Sequence, residues 1–134
     1  MKLLQSIAAK PKPSTKAQGD DAESLALQHL LSQGLLLVAQ NFKTPGRGGG
    51  EIDLIMRAAD GTLVFVEVRR RKSSSYGGAG GSITAVKQRR IIFAAQHFLA
   101  RLPRIPPCRF DVVTLEGEGR EARLDWLQAA FDAS

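Results

Sequence analysis

Two short apolar runs that carry acidic residues constrain the fold of this chain more than any other feature. The runs are residues 51–56 and 63–69, and Ala59, Asp60 and Gly61 lie between them. Apolar runs of this length around turn-forming residues are typical of the two strands of a hairpin. Carboxylates rarely occur inside such strands unless something pairs with them, and a divalent cation is one such partner. The sequence therefore predicts a hairpin that holds a candidate metal site.

The length of the turn decides whether Asp53 and Glu67 can cooperate. Side chains alternate between the two faces of a sheet, so a shift of one residue in register moves a side chain to the other face. A tight turn at Asp60 and Gly61 alone sets Asp53 opposite Val68 and separates the two carboxylates. A loop that spans 59–61, or a bulge in one strand, pairs Asp53 directly with Glu67. The metal hypothesis therefore requires a loop of odd length.

Length, charge and cysteine content limit the class of protein. A chain of 134 residues with 43% hydrophobic residues suits one globular domain, and a net charge of +6 favours a nucleic-acid partner. The single cysteine, Cys108, excludes an intramolecular disulfide and fits a cytoplasmic location. No apolar run approaches the roughly 20 residues that cross a bilayer, so we expect no membrane association.

The pattern along the chain predicts a basic, flexible arm at residues 1–19 and a single domain at residues 20–134. Pro, Gly and Lys residues interrupt the periodicity of the arm. In the domain we expect a helix from Asp20 or Asp21 to Gly34, strands at 35–42, 51–58, 62–70 and 109–115, a helix from Ser82 to about residue 102, and a last strand at 123–127. The Gly-rich segments 43–50 and 72–81 are predicted to be flexible loops.

The acids and bases of the hairpin suit phosphodiester hydrolysis. Carboxylates such as Asp53 and Glu67 bind Mg²⁺ or Mn²⁺, and Arg69 projects to the same face as Glu67, where its charge can stabilise a phosphate. An equally compatible interpretation is structural: the two acids form cross-strand ion pairs with Arg69, Arg70 or Lys43. The residues alone do not separate these alternatives.

A longer ordered set of motifs adds a resemblance to known proteins. The set comprises Glu23, Asn41-Phe42, Gly50-Glu51-Ile52-Asp53-Leu54-Ile55, Val64-Phe65-Val66-Glu67-Val68-Arg69, Lys87-Gln88, Arg109-Phe110-Asp111-Val112 and Ala130-Phe131. It resembles the PD-(D/E)xK endonuclease superfamily and, more closely, the YraN-like family of uncharacterised, predicted endonuclease-fold proteins, which resemble archaeal Holliday-junction resolvases. This resemblance implies a restriction-endonuclease-like αβββαβ core, with a mixed β-sheet flanked by helices.

The resemblance also implies roles for individual residues. Asp53 and Glu67 match the metal-binding acids of the superfamily, Glu23 matches its upstream helical acid, and the carbonyl of Val68 is a further candidate ligand for Mg²⁺ or Mn²⁺. Arg69 stands where the superfamily has lysine, and an arginine stays protonated and cannot act as a general base. Lys87 supplies an alternative ammonium group if its helix packs beside the site; otherwise it is an ordinary solvated lysine.

The remaining expectations concern the partner. Seven residues make a candidate nucleic-acid-binding rim: Arg47, Arg70, Arg71, Lys72, Tyr76, Arg89 and Arg90. DNA is favoured over RNA, and branched DNA and a homodimer follow from the resemblance alone. Two other functions stay open: a catalytically silent nucleic-acid-binding module and a protein-interaction adaptor. Convergence of Glu23, Asp53 and Glu67 within reach of one metal distinguishes the nuclease from both.

Overall fold

A computed structural model describes residues 15–71, 83–117 and 121–133, without the side chains of residues 15–20. These described residues form two helices and five strands. In chain order they are α1 (Thr15–Ser32), β1 (Leu36–Lys43), β2 (Glu51–Arg57), β3 (Leu63–Arg71), α2 (Ala85–Leu99), β4 (Cys108–Glu116) and β5 (Arg123–Phe131). This order contains the αβββαβ series and the last strand that the sequence predicts, which extends to Phe131.

The five strands form one mixed sheet in the order β1-β2-β3-β4-β5. Neighbouring strands are antiparallel except β3 and β4, which are parallel. A parallel pair needs a long crossover connection, and α2 lies in that connection. The α/β class and the mixed sheet predicted from the sequence are confirmed, and they are consistent with a restriction-endonuclease-like core.

Each face of the sheet is covered by one helix. α1 places Ala22, Ala26 and Leu30, which recur every fourth residue, on a cluster that includes Val64 and Val66. α2 buries its own apolar stripe against the opposite face, in a cluster that also includes Ile55, Leu63 and Phe65. Successive residues of β3 therefore face different helices. Neither helix is apolar enough over a sufficient length to cross a membrane.

Both helices begin at residues other than those predicted. α1 begins at Thr15, so its first turn includes part of the predicted arm; a single glycine, Gly19, weakens a helix by only about 1 kcal/mol relative to alanine and does not end it. α2 is capped by Thr84, whose side chain accepts a hydrogen bond from the amide of Lys87. Residues 1–14 of the arm and the loop at 72–81 lie outside the described residues, as does the predicted cap Ser82.

A buried carboxylate joins β4 to β5. Asp111 is completely buried and accepts hydrogen bonds from Arg109 Nε at 3.0 Å, Trp126 Nε1 at 2.9 Å and the amide of Ala129 at 3.0 Å. The β4–β5 register shifts between Phe110 and Val112, next to Asp111, and Ala129 has a φ of 51°. Asp111 therefore fixes an irregular stretch of the sheet through charge-assisted hydrogen bonds.

Candidate functional site

The β2–β3 hairpin has the register that the metal hypothesis requires. Its paired residues run from Arg57 opposite Leu63 to Leu54 opposite Val66, and one further step of this register sets Asp53 opposite Glu67. The connection, residues 58–62, has an odd length and is closed by backbone hydrogen bonds at both of its ends. The two carboxylates therefore meet on neighbouring strands, as the odd-length loop predicts.

The two strands separate at the acidic pair. The β2–β3 pairing ends at Leu54 and Val66, and beyond it the amide of Val68 donates to Asp53 Oδ2 at 2.8 Å. The N–H and C=O groups of one residue in an extended strand point to the same side, so the carbonyl of Val68 also faces the side of Asp53. Two carboxylates and one backbone carbonyl are thus gathered at the split between the strands.

The two carboxyl groups perturb each other. Burial, followed by the nearby charge of Asp53, raises the pKa of Glu67 to about 7, and burial also raises the pKa of Asp53. A hydrogen bond between the two side chains raises the pKa of Glu67 and lowers that of Asp53. The ionisation of each carboxyl group therefore depends on the charge of the other. Ionising both of these neighbouring carboxyl groups costs electrostatic free energy unless a cation lies between them.

Lys87 lies next to the acidic pair. Glu67 alternates with Val66 and so faces α2, where Lys87 Nζ is 3.5 Å from Glu67 Oε2. The Thr84 cap starts α2 just before Lys87 and fixes the position of this first turn. Arg69 shares a face with Glu67 by alternation and is half-buried. The structure therefore brings Lys87 to the site, whereas the sequence left open whether it was only a solvated helix residue.

Glu23 does not complete a three-acid cluster. Among the described residues, no three acidic, histidine or cysteine side chains lie close enough together to hold a metal ion. Ala22 and Ala26 pack α1 on the face of the sheet opposite the contact between Glu67 and Lys87, which accounts for the separation. The described side chains therefore gather two of the three expected acids, Asp53 and Glu67, and Glu23 as a third metal ligand stays a prediction.

The predicted nucleic-acid-binding residues fall into three groups. Arg47, Arg89 and Arg90 are exposed, and Arg71 is half-buried at the end of β3. Arg70 turns to the α1 side, where it forms an ion pair with Asp21 at 3.6 Å and donates to the carbonyl of Gly117. Lys72 and Tyr76 lie outside the described residues.

The glycine-rich loop before β2, predicted to be a flexible connection, is closed at its base by hydrogen bonds. The amide of Gly50 donates to Thr44 Oγ1 at 2.8 Å, and the amide of Thr44 donates to the Gly50 carbonyl at 3.0 Å. Thr44 is buried, and the backbone of Gly50 lies directly on the carbonyl of Arg90 in α2. The roles of Thr44 and Gly50 in closing the loop could not be predicted from the sequence, because their partners are set by tertiary contacts. The glycine run was the available signal.

Replacing Gly50 by alanine is expected to loosen this loop. The added Cβ would lie 1.9 Å from the carbonyl oxygen of Arg90, and overpacking of this kind costs about 1–3 kcal/mol. Urea unfolding measures the loss. Gly48→Ala is the matched control, because its Cβ meets open space and only its φ of 70° costs about 1 kcal/mol. A Gly50→Ala variant as stable as the wild type would contradict the close packing.

The fold and the acidic pair together define the class of protein. A mixed sheet flanked by one helix on each face, with Asp53 and Glu67 where two strands separate, is an α/β arrangement consistent with the restriction-endonuclease-like core. The chain belongs to the family described as "Uncharacterised protein family UPF0102", whose sequence profile matches residues 22–115. The family membership predicted from the motifs is confirmed.

Curated relatives cover nearly the whole chain. A UPF0102 protein of Polaromonas naphthalenivorans (strain CJ2) is 61% identical over 133 residues, which is 95% of this chain and 87% of the relative. One from Acidovorax sp. (strain JS42) is 62% identical over 92% of this chain and 91% of its own length. One from Paracidovorax citrulli (strain AAC00-1) is 57% identical over 99% of each chain. These three relatives are therefore similar in length to this chain, and each is described by the family name alone.

Proposed function

We propose that this protein is a Mg²⁺- or Mn²⁺-dependent endonuclease that cleaves DNA. The observation that carries the proposal is the meeting of Asp53 and Glu67 at the split between β2 and β3, with Lys87 Nζ 3.5 Å from Glu67. Perturbed carboxyl groups held together on a rigid sheet are typical of functional sites. A purely structural ion pair accounts for the contact between Lys87 and Glu67, but it does not explain why Asp53 lies beside a second acid.

The donor groups suit a hard divalent cation. Mg²⁺ is usually bound by one or two carboxylates, with water and substrate phosphate filling the other positions, so the pair Asp53 and Glu67 is sufficient. The Val68 carbonyl, on the side of Asp53, adds a neutral oxygen. A cation bound here would polarise the phosphodiester and activate a water molecule. Binding would also favour the ionised form of both carboxyl groups.

The basic residues complete the proposed active site. Arg69 projects to the face of Glu67 and can hold a phosphate, but it cannot accept a proton from water. Lys87 places an ammonium group beside Glu67 and can neutralise charge that develops on the phosphate. Exposed Arg47, Arg89 and Arg90 supply contacts to the DNA backbone that do not depend on sequence. Branched DNA as substrate, cytoplasmic action and a homodimer that makes two symmetric cuts extend the same proposal.

A cleavage assay tests the proposal. Purified protein is mixed with duplex, single-stranded and four-way-junction DNA in Mn²⁺ or in EDTA. We expect cutting in Mn²⁺ only, and Asp53→Asn is expected to slow it at least about 1,000-fold, which is a loss of roughly 4 kcal/mol of transition-state stabilisation. Asp132→Asn, an exposed substitution near the end of β5, is the matched control and should cut normally.

The opposite outcomes are equally informative. Cutting that persists in EDTA or in the Asp53→Asn variant would place the activity elsewhere or assign it to a contaminant. A folded protein that binds DNA but never cuts it would identify the silent binding module, in which Arg69 in place of lysine marks the loss of hydrolysis. The distribution of products among the three substrates names the preferred DNA structure.

A further inference from the structure

A polar groove lies beside the acidic pair. It has a volume of about 280 Å³ and runs between the loop that precedes β2 and the first turns of α2. Its charged lining residues are Lys43, Lys87, Arg90 and Glu51, and the rest of the lining is Thr44 and loop glycines. Three cations against one acid give the lining a net positive charge, which favours an anionic ligand.

The groove is continuous with the candidate active site. Lys87 lines the groove and also forms the ion pair with Glu67. Glu51 lines it too, and its charge raises the pKa of Asp53, which indicates that the two side chains are close. A strand of nucleic acid whose scissile phosphate lies at the acidic pair would therefore pass directly into this groove.

The walls of the groove are held before any ligand binds. Hydrogen bonds between Thr44 and Gly50 close the loop at its base, and the backbone of Gly50 packs on the carbonyl of Arg90. Glycines at the groove expose the loop backbone, which lets a phosphate approach without side chains in the way. The loop backbone therefore needs little further ordering when a ligand binds, and less of the binding free energy is lost to that ordering.

We propose that this groove binds a backbone phosphate of the DNA strand, next to the phosphate at the acidic pair, through Lys43 and Arg90. The proposal rests on the endonuclease function and names the path of its substrate. Lys43 belongs to no predicted nucleic-acid-binding set, and in its loop only Arg47 was predicted to contact nucleic acid. A cavity of this size suits a phosphate with its sugar, because pockets for drug-sized molecules begin at about 300 Å³.

DNA binding in EDTA, measured by fluorescence anisotropy over a range of salt concentrations, tests the groove separately from cleavage. The variant is Lys43→Gln with Arg90→Gln, two exposed positions. Loss of two phosphate contacts is expected to weaken binding about tenfold or more and to reduce the slope of log K against log salt by roughly 1.4 for single strands and 1.8 for duplex. Arg104→Gln, an exposed arginine beyond the far end of α2, is the matched control and should keep the wild-type affinity and slope.

Two outcomes separate this proposal from the endonuclease function. If the double variant binds like Arg104→Gln while Asp53→Asn still abolishes metal-dependent cutting, the groove is not a phosphate site and the nuclease stands. If no protein cuts DNA but the double variant loses affinity, the groove binds nucleic acid in a protein that is not a nuclease. Circular dichroism of each variant establishes that it is folded.

Discussion

At pH 8, Glu67→Gln is expected to be more stable than the wild type in the absence of divalent cations, and to have almost no cleavage activity in Mn²⁺. Glutamine keeps the shape of Glu67 but removes a charge that is buried beside Asp53. The pKa of Glu67 rises from 4.5 in the unfolded chain to about 7 in the folded protein. The free energy of unfolding of the variant is therefore expected to exceed that of the wild type by up to about 3 kcal/mol. The pKa of about 7 already includes the opposing effect of the Lys87 charge. Cleavage should fall at least about 1,000-fold.

The sign of this effect gives it a pH window. The folded state binds the Glu67 proton more tightly than the unfolded state, so the ionisation of Glu67 costs nothing below pH 4.5 and progressively more as the pH rises to about 7. The wild type should therefore lose stability relative to Glu67→Gln between these two values, and the difference should be constant above them. Urea unfolding of both proteins from pH 4 to pH 8 measures the difference.

Divalent cations and a control variant complete this experiment. Mn²⁺ should stabilise the wild type and not Glu67→Gln, because a ligand that binds only the folded state raises the free energy of unfolding. Glu121→Gln removes an exposed charge and should follow the wild type at every pH. A Glu67→Gln variant that is less stable than the wild type at pH 8 would mean that Glu67 is a structural ion-pair partner of Lys87.

Asp111→Ala is expected to cause the largest loss of stability, about 3–5 kcal/mol, because it removes a buried charge and leaves its partners unpaired. Arg109, Trp126 and Ala129 all donate to this carboxylate. Urea unfolding at pH 7 measures the loss. Asp125→Ala removes an exposed ion pair with Arg123 and should cost less than about 1 kcal/mol. Equal losses in the two variants would contradict the role assigned to Asp111.

The sequence predicted those features of the fold that follow from local patterns. The apolar runs around Asp53 and Glu67 indicated the hairpin. Because side chains alternate along a strand, these two acids can pair only if the loop between the strands has an odd number of residues or one strand has a bulge. The structure has the required parity. The α/β class followed from the order of the helical and strand patterns, which depends only on residues near one another in the chain.

Features that depend on packing could not be predicted in the same way. The ion pair of Lys87 with Glu67 depends on how α2 lies on the sheet, and no spacing in the sequence reports that angle. Glu23 matched a motif, but the stripe of Ala22 and Ala26 places its helix on the other face. The closure of the loop by Thr44 and Gly50 likewise depends on a tertiary contact with α2.

The most direct test of the central claim is a crystal structure of the wild type in Mn²⁺ at pH 8, where Glu67 is ionised, with anomalous differences recorded at the manganese edge. We expect a peak about 2.0–2.4 Å from carboxylate oxygens of both Asp53 and Glu67, and none in crystals of Asp53→Asn. A peak found only at other residues, or no peak between Asp53 and Glu67, would contradict the metal site and with it the proposed nuclease.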